Sequence, residues 1–229
     1  MTASSLTLTT LRARVQGELA DTGANIWSTD DLDIAIRRAL IEYSRQARAF
    51  QAITTVEFGS ATRELDISAV TGLIDIERVW LPYTAADPEE PPNWRLFEYW
   101  EDSQLLYFPD GDRPADGDIA RLFYTKMQTL NGLDSAASTT FSVEHEDLLI
   151  VGAAGHAAVQ RGMDAAEEVT LDRNTSAVVQ AWGQGRLSEF RYGMFFIKRS
   201  RGLEGQSHIE LPALDRWDAR LGYSRSRWS

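Results

Sequence analysis

Cysteine is absent from the 229 residues. Its absence excludes disulfides, thiolate metal sites and cysteine nucleophiles, and it fits assembly in a reducing cytoplasm. Histidine is scarce, with only His145, His156 and His208. His145 and His156 fall on one helical face but three turns apart, whereas a zinc-binding helix spaces its two histidines by four. A packed or interface role for His156 is the simpler reading. Basic charge is in deficit: 23 Lys and Arg face 34 Asp and Glu, for a net charge of −11. Tight binding of nucleic acid through phosphates is therefore not expected. Surrounding DNA without gripping it stays open, because like charge discourages sticking. No apolar run suits a membrane. The least polar stretch, Asp147–Val159, reaches only ~20 Å as a helix, against the ~30 Å of a bilayer core. Met1–Thr10 has neither a basic start nor an apolar centre, so no secretory leader is expected.

Catalytic signatures are missing as well. Neither a P-loop nor a G-x-S-x-G turn occurs. Gly183-Gln184-Gly185 follows a helical pattern rather than a strand, so it is no dinucleotide loop. Asp110, Asp112, Asp116 and Asp118 hint at calcium, but Pro114, Ala115 and Arg121 stand where an EF-hand needs a ligand, a glycine and a closing glutamate. An acidic hairpin turn explains them better. Trp80, Tyr83, Trp94, Phe97, Tyr99 and Trp100 could form a stacking platform for sugars or single strands. Their alternation along strands fits core and interface packing better.

What is present is a pattern of helices around a strand-rich middle. Asp147–Val159, DLLIVGAAGHAAV, has no charge between Asp147 and Arg161 and is apolar on two adjacent faces. Such a helix is buried on most sides. Gly152, Ala153, Ala154 and Gly155 let neighbouring backbones approach. Ser142 is the expected cap of this helix, with Glu144, Glu146 and Asp147 in the first turn. Residues 8–20 place Leu8, Leu11, Val15 and Leu19 on one stripe, and Gly23 suits the left-handed stop. Ser28 and Asp31 read as a capping box, with Trp27 placed to staple onto Leu32. Leu32, Ala35, Ile36, Ala39, Leu40, Tyr43 and Ala47 form one apolar face. Arg37, Arg38, Glu42 and Arg45 read as a solvated one.

From Gln51 the period becomes two. Thr54, Val56 and Phe58, then Leu65 and Ile67, then Ile74, Ile76 and Arg78 alternate with polar neighbours, as half-buried strands do. Trp94–Trp100, Leu105–Phe108 and Ile119–Thr125 add further strands. Thr84–Asn93 is an acidic, proline-rich loop. Short connections make the five or six strands mostly antiparallel. Leu130–Ser142 reads as a polar loop. A last helix, about Leu171–Arg199, carries Leu187, Phe190, Met194 and Ile197 on one face. Gly183 and Gly185 within it call for a kink or a close helix contact. Lys198, Arg199 and Arg201 suit its C-terminal end.

The expected architecture is α+β: a four-helix bundle-like core, with two N-terminal and two C-terminal helices, an antiparallel β-rich insertion and an extended tail. The divisions are 1–50, 51–129, 130–201 and 202–229. The tail lacks periodicity but holds Leu203, Ile209, Leu211, Leu214, Trp217, Leu221, Tyr223 and Trp228.

The order of these motifs resembles a known family. The opening LRARVQGELADTGANIWSTDDLDIAIRRALIEYSRQ, the strand IDIERVWLPY, the run LLYFPDGDRPADGDIARLFYTKMQTL and the helix FSVEHEDLLIVGAAGHAAVQRG are together similar to the head–tail connector adaptors of tailed bacteriophages. The likeness covers residues 8–200 and lies in ordered patterns rather than catalytic signatures. It implies a virion component, assembled in the host cytoplasm, with no enzymatic activity and no cofactor or metal. It further implies a ring of twelve copies under the portal, which continues the DNA channel, lets DNA pass without tight binding, and carries a stopper or tail protein. Such adaptors often send a C-terminal segment into the portal. The candidate docking residues here are Arg199, Arg201, Leu211, Leu214, Trp217, Leu221, Tyr223 and Trp228. The alternative class is a glycan-binding module using the aromatic sheet.

Overall fold

A computed structural model describes residues 4–21, 23, 26–48, 50–86, 92–167 and 173–205, with side chains through 163 and from 176 to 200 in the last two spans. It is a mixed helix-and-strand structure with four α-helices and two small antiparallel sheets of three strands.

Helix α1 (Leu8–Glu18) starts from Thr7, whose hydroxyl accepts from Thr10 N. It buries Leu8, Leu11 and Val15. The left-handed residue at its end is Ala20, at φ 54°, not Gly23. The backbone closes there in a Schellman pattern, with Asp21 N donating to Gln16 O and Ala20 N to Gly17 O, and the Asp21 carboxylate then accepts from Ile26 N and Trp27 N. Helix α2 (Thr29–Ala47) carries the full capping box between Ser28 and Asp31, and all seven expected apolar residues are buried. Trp27 is buried too, and its Nε1–H donates to Ala157 O at 3.3 Å. Arg12 of α1 forks onto Asp33 of α2.

Six strands follow: β1 (Gln51–Glu57), β2 (Glu64–Asp66), β3 (Leu73–Trp80), β4 (Glu98–Trp100), β5 (Leu105–Tyr107) and β6 (Ile119–Lys126). One sheet has the order β1-β6-β3, and the other β2-β5-β4. Residues Phe58, Leu65, Ile67, Leu81, Leu106, Phe108, Ala120 and Leu122 fill a core of their own between them. The simple alternation expected for β3 fails. Register shifts at Leu73/Asp75 and Ile76/Arg78 turn Val79 and Trp80 inward and leave Arg78 outside. A bulge adds one residue to one strand, which resets the faces beyond it. Only Glu98–Trp100 of the expected Trp94–Trp100 piece pairs as a regular strand.

The segment after β6 is irregular, and Asn131, Gly132, Asp134, Ser135 and Ser138 are exposed, as a polar loop requires. Its apolar residues Leu130, Leu133 and Phe141 are nevertheless buried among the helices. Ser4 N donates to Phe141 O and Leu8 N to Asn131 O, so the segment also ties down the N-terminus. Ser142 precedes a 3-10 turn, Val143–His145, and its hydroxyl makes no capping bond. Helix α3 begins at Glu146 and runs to Glu167. Its stretch Gly152–Gly155 is fully buried, as the sequence requires, although Met163 at its far end is exposed.

Helix α4 (Arg173–Gly205) runs antiparallel to α3, and small residues set the spacing. Cβ atoms built on Gly152 and Gly155 would meet Phe190 at 2.8 Å and Leu187 at 3.0 Å. One on Gly183 would meet Val159 N at 2.9 Å. Gly183 is thus the close contact anticipated from its position, whereas Gly185 faces open space. Phe190 and Met194 are buried in the same core as α1 and α2, and Leu187 is buried against Gly155 of α3.

Candidate functional site

The helical part is laced by a polar seam that the sequence pattern did not reveal. Glu42, assigned from periodicity to a solvated face of α2, is mostly covered. One of its carboxylate oxygens accepts from Arg191 Nε of α4 at 2.8 Å, and the other bonds His156 Nε2 of α3 at 3.0 Å. Arg38 donates to Gln160, and Arg37 forks onto Asp134. Of the four polar residues named for that face, Arg38 and Arg45 are exposed, as expected, and Arg37 and Glu42 are partly covered. Burial pulls the His156 pKa below the usual imidazole value, and Glu42 opposes that shift. A groove of about 200 Å³ lies beside the seam, lined by Trp27, Ile34, Arg38, His156, Gln160 and Arg161. His145 lies elsewhere and shares a hydrogen bond with the buried Tyr43 hydroxyl.

Among the described residues no group of three or more His, Asp and Glu is placed to hold a metal ion. The acidic turn between β5 and β6 instead holds itself, with Asp118 accepting from Ala115 N. Among the described residues no helix is long and apolar enough to cross a membrane.

Two surface features remain. First, the charge is unevenly spread. Residues 51–129 hold fifteen Asp and Glu against six Lys and Arg, so −9 of the net −11 resides in the strand-rich part. Second, aromatic side chains stay uncovered in two places. On the sheets, Trp94 meets Phe123 edge-on and sits under Arg78, while Trp100 lies flat on Tyr107, 5.4 Å between ring centres. Trp80 is buried, and Arg121 spans Trp80, Tyr83 and Phe123. Phe97 and Tyr99 pack onto the sheet core. The six aromatics are thus divided between buried and exposed positions on two sheets, rather than aligned on one face. On α4, Tyr192, Phe195 and Phe196 are 64%, 55% and 47% exposed and touch one another edge to face.

Of the expected docking residues, Arg199 lies exposed near the end of α4. Arg201 falls in the same helix, with its side chain outside the described set. Leu211, Leu214, Trp217, Leu221, Tyr223 and Trp228 lie outside the described residues. No family model matches the chain, and no curated protein matches it.

Proposed function

We propose that this chain is a head–tail connector adaptor of a tailed bacteriophage, a structural virion protein rather than an enzyme. In this reading α1 to α4 form the bundle-like body, 51–129 is its inserted sheet part, and the C-terminal tail reaches the portal. Twelve copies make a collar under the portal, continue its channel, and present a platform to a stopper or tail protein. The order of motifs supports the family. The observation that carries the mechanism is the charge placement, with −9 concentrated on residues 51–129. A passage lined with that charge repels the phosphate backbone, so DNA slides through during packaging and ejection without being held.

The test is capture by purified portal rings. The truncation is placed after Gly205, where α4 ends. Full-length protein should be retained on portal rings, and rings with bound protein should show twelve copies by electron microscopy. The chain ending at Gly205 should lose capture while keeping its helical circular dichroism. Equal capture of both proteins would remove tail docking, and no capture of either would remove the adaptor reading.

A second reading, a glycan-binding module, draws on Trp100, which lies flat on Tyr107 yet stays exposed. It requires a change in Trp fluorescence on titration with an oligosaccharide panel, abolished by Trp100→Ala.

A further inference from the structure

Helix α4 is apolar on two opposite faces. Leu187, Phe190 and Met194 enter the core. Tyr192, Phe195 and Phe196 lie across the helix axis from them and are left in solvent. A helix that is apolar on both sides is covered on both sides. In the next turn Arg199, four residues past Phe195, continues this stripe and makes no ion pair with any described residue. An occupant of this stripe therefore needs apolar side chains with carboxylates next to them.

We propose that, in the unbound protein, the stripe is covered by the chain's own residues 209–217, folded back from the end of α4. Three observations single out that occupant. The chain continues for 24 residues past Gly205, where α4 ends. Reach is the second. At ~1.5 Å per helical residue, Phe196 lies ~14 Å and Tyr192 ~20 Å back from Gly205. An extended chain advances ~3.3 Å per residue, so four to six residues cover that span. A reversal just after Gly205 using up to three residues brings members of the set Ile209, Leu211 and Leu214 opposite the aromatics. Charge is the third. Glu210 is the acid that the same arithmetic brings opposite the Arg199 turn of α4, about 9 Å back from Gly205. Residues 219–229 carry Arg220, Arg225 and Arg227 and no acid, so they do not match that turn. The inference concerns the protein alone and stands apart from the portal reading. If both hold, the portal exchanges its own surface for the α4 stripe.

The lack of cysteine makes the test clean, because a double cysteine variant has only two thiols. Phe195→Cys is combined in turn with Leu211→Cys, Leu214→Cys and Leu221→Cys in the full-length chain. Each variant is oxidised at low micromolar concentration, with a sample in denaturant as reference. The helical signal of each is checked first. The expected result is a monomer-sized, internally linked product for the 211 or 214 pair, at a yield well above the denatured reference, and none above reference for 221. An interchain dimer would show that a second copy covers the stripe. Yields equal to the denatured reference for both 211 and 214 would show that nothing in this segment does. Either outcome overturns the proposal, while portal capture is read separately.

Discussion

Gly183 and Gly185 stand two residues apart in α4 and offer a direct measure of how tightly α3 and α4 are fitted. Replacing either with alanine gains about 1 kcal/mol of helix propensity. At 185 nothing lies within 4 Å of the added Cβ, so the gain is kept. At 183 the Cβ would stand 2.9 Å from Val159 N, 2.9 Å from Val159 Cγ2 and 3.0 Å from Ala158 Cβ. A backbone nitrogen cannot rotate aside, so the two helices must separate. Overpacking of this kind costs about 1–3 kcal/mol. Gly183→Ala should therefore range from neutral to about 2 kcal/mol destabilising, after its propensity gain is subtracted. The two variants should differ by the overpacking cost itself. In a chain of this size 1 kcal/mol moves Tm by about 2–4 °C. Gly185→Ala should melt above the parent, and Gly183→Ala at least several degrees below Gly185→Ala. Thermal and urea melts followed by far-UV circular dichroism measure this, with an unchanged urea slope as the check that the unfolding event is the same. Equal stabilisation by both variants would refute the close α3–α4 contact.

The two serines expected to cap helices should behave differently. Ser28→Ala should cost about 1 kcal/mol. Ser142→Ala should cost almost nothing, because its buried hydroxyl has no partner to lose; a loss at 142 matching that at 28 would contradict the geometry. Leu122→Ala, at a fully buried position of the sheet core, should cost about 2–5 kcal/mol. Tryptophan emission melts would report it, and a loss under 1 kcal/mol would mean the sheets share no core. His156 titrates below its ordinary range because burial penalises its charged form, only partly offset by Glu42. Its contribution to stability is complete above the unfolded pKa, near 6.5, and is lost as pH falls through the lower folded value. His156→Gln should flatten the decline of Tm on acidification below about pH 6.5. Parallel Tm–pH curves for variant and parent would exclude that role.

Where one physical signal dominates, the sequence discloses the structure. Helix α2 has a 3.6-residue apolar stripe and a capping box, and both appear residue for residue. The buried middle of α3 follows equally from thirteen residues without an internal charge. Features set by distant partners are silent in the sequence. Nothing local distinguishes Glu42 from a surface glutamate, because its value depends on His156 and Arg191, over a hundred residues away. The bulges of β3 need the register of β6, and Leu130–Ser142 looks polar because its three buried anchors are widely spaced. Gly183 could be singled out from Gly185 only once α3 lay beside it. The surfaces were the least legible part. The excess of carboxylates in 51–129 is countable from the sequence, whereas the exposure of Tyr192, Phe195 and Phe196 required knowing which side of α4 the core takes.

The strand-rich part leaves the helices and returns to them at one place. Gln51 pairs with Thr125, Lys126 N donates to Phe50 O, and Gln128 N is seated on the Ser44 hydroxyl of α2. Departure and return are thus side by side, like the two wires of a plug. A segment mounted this way can be lengthened, trimmed or exchanged for another without re-routing the helices that hold it. Such a protein can change what it presents on its sheets while keeping the frame that carries them.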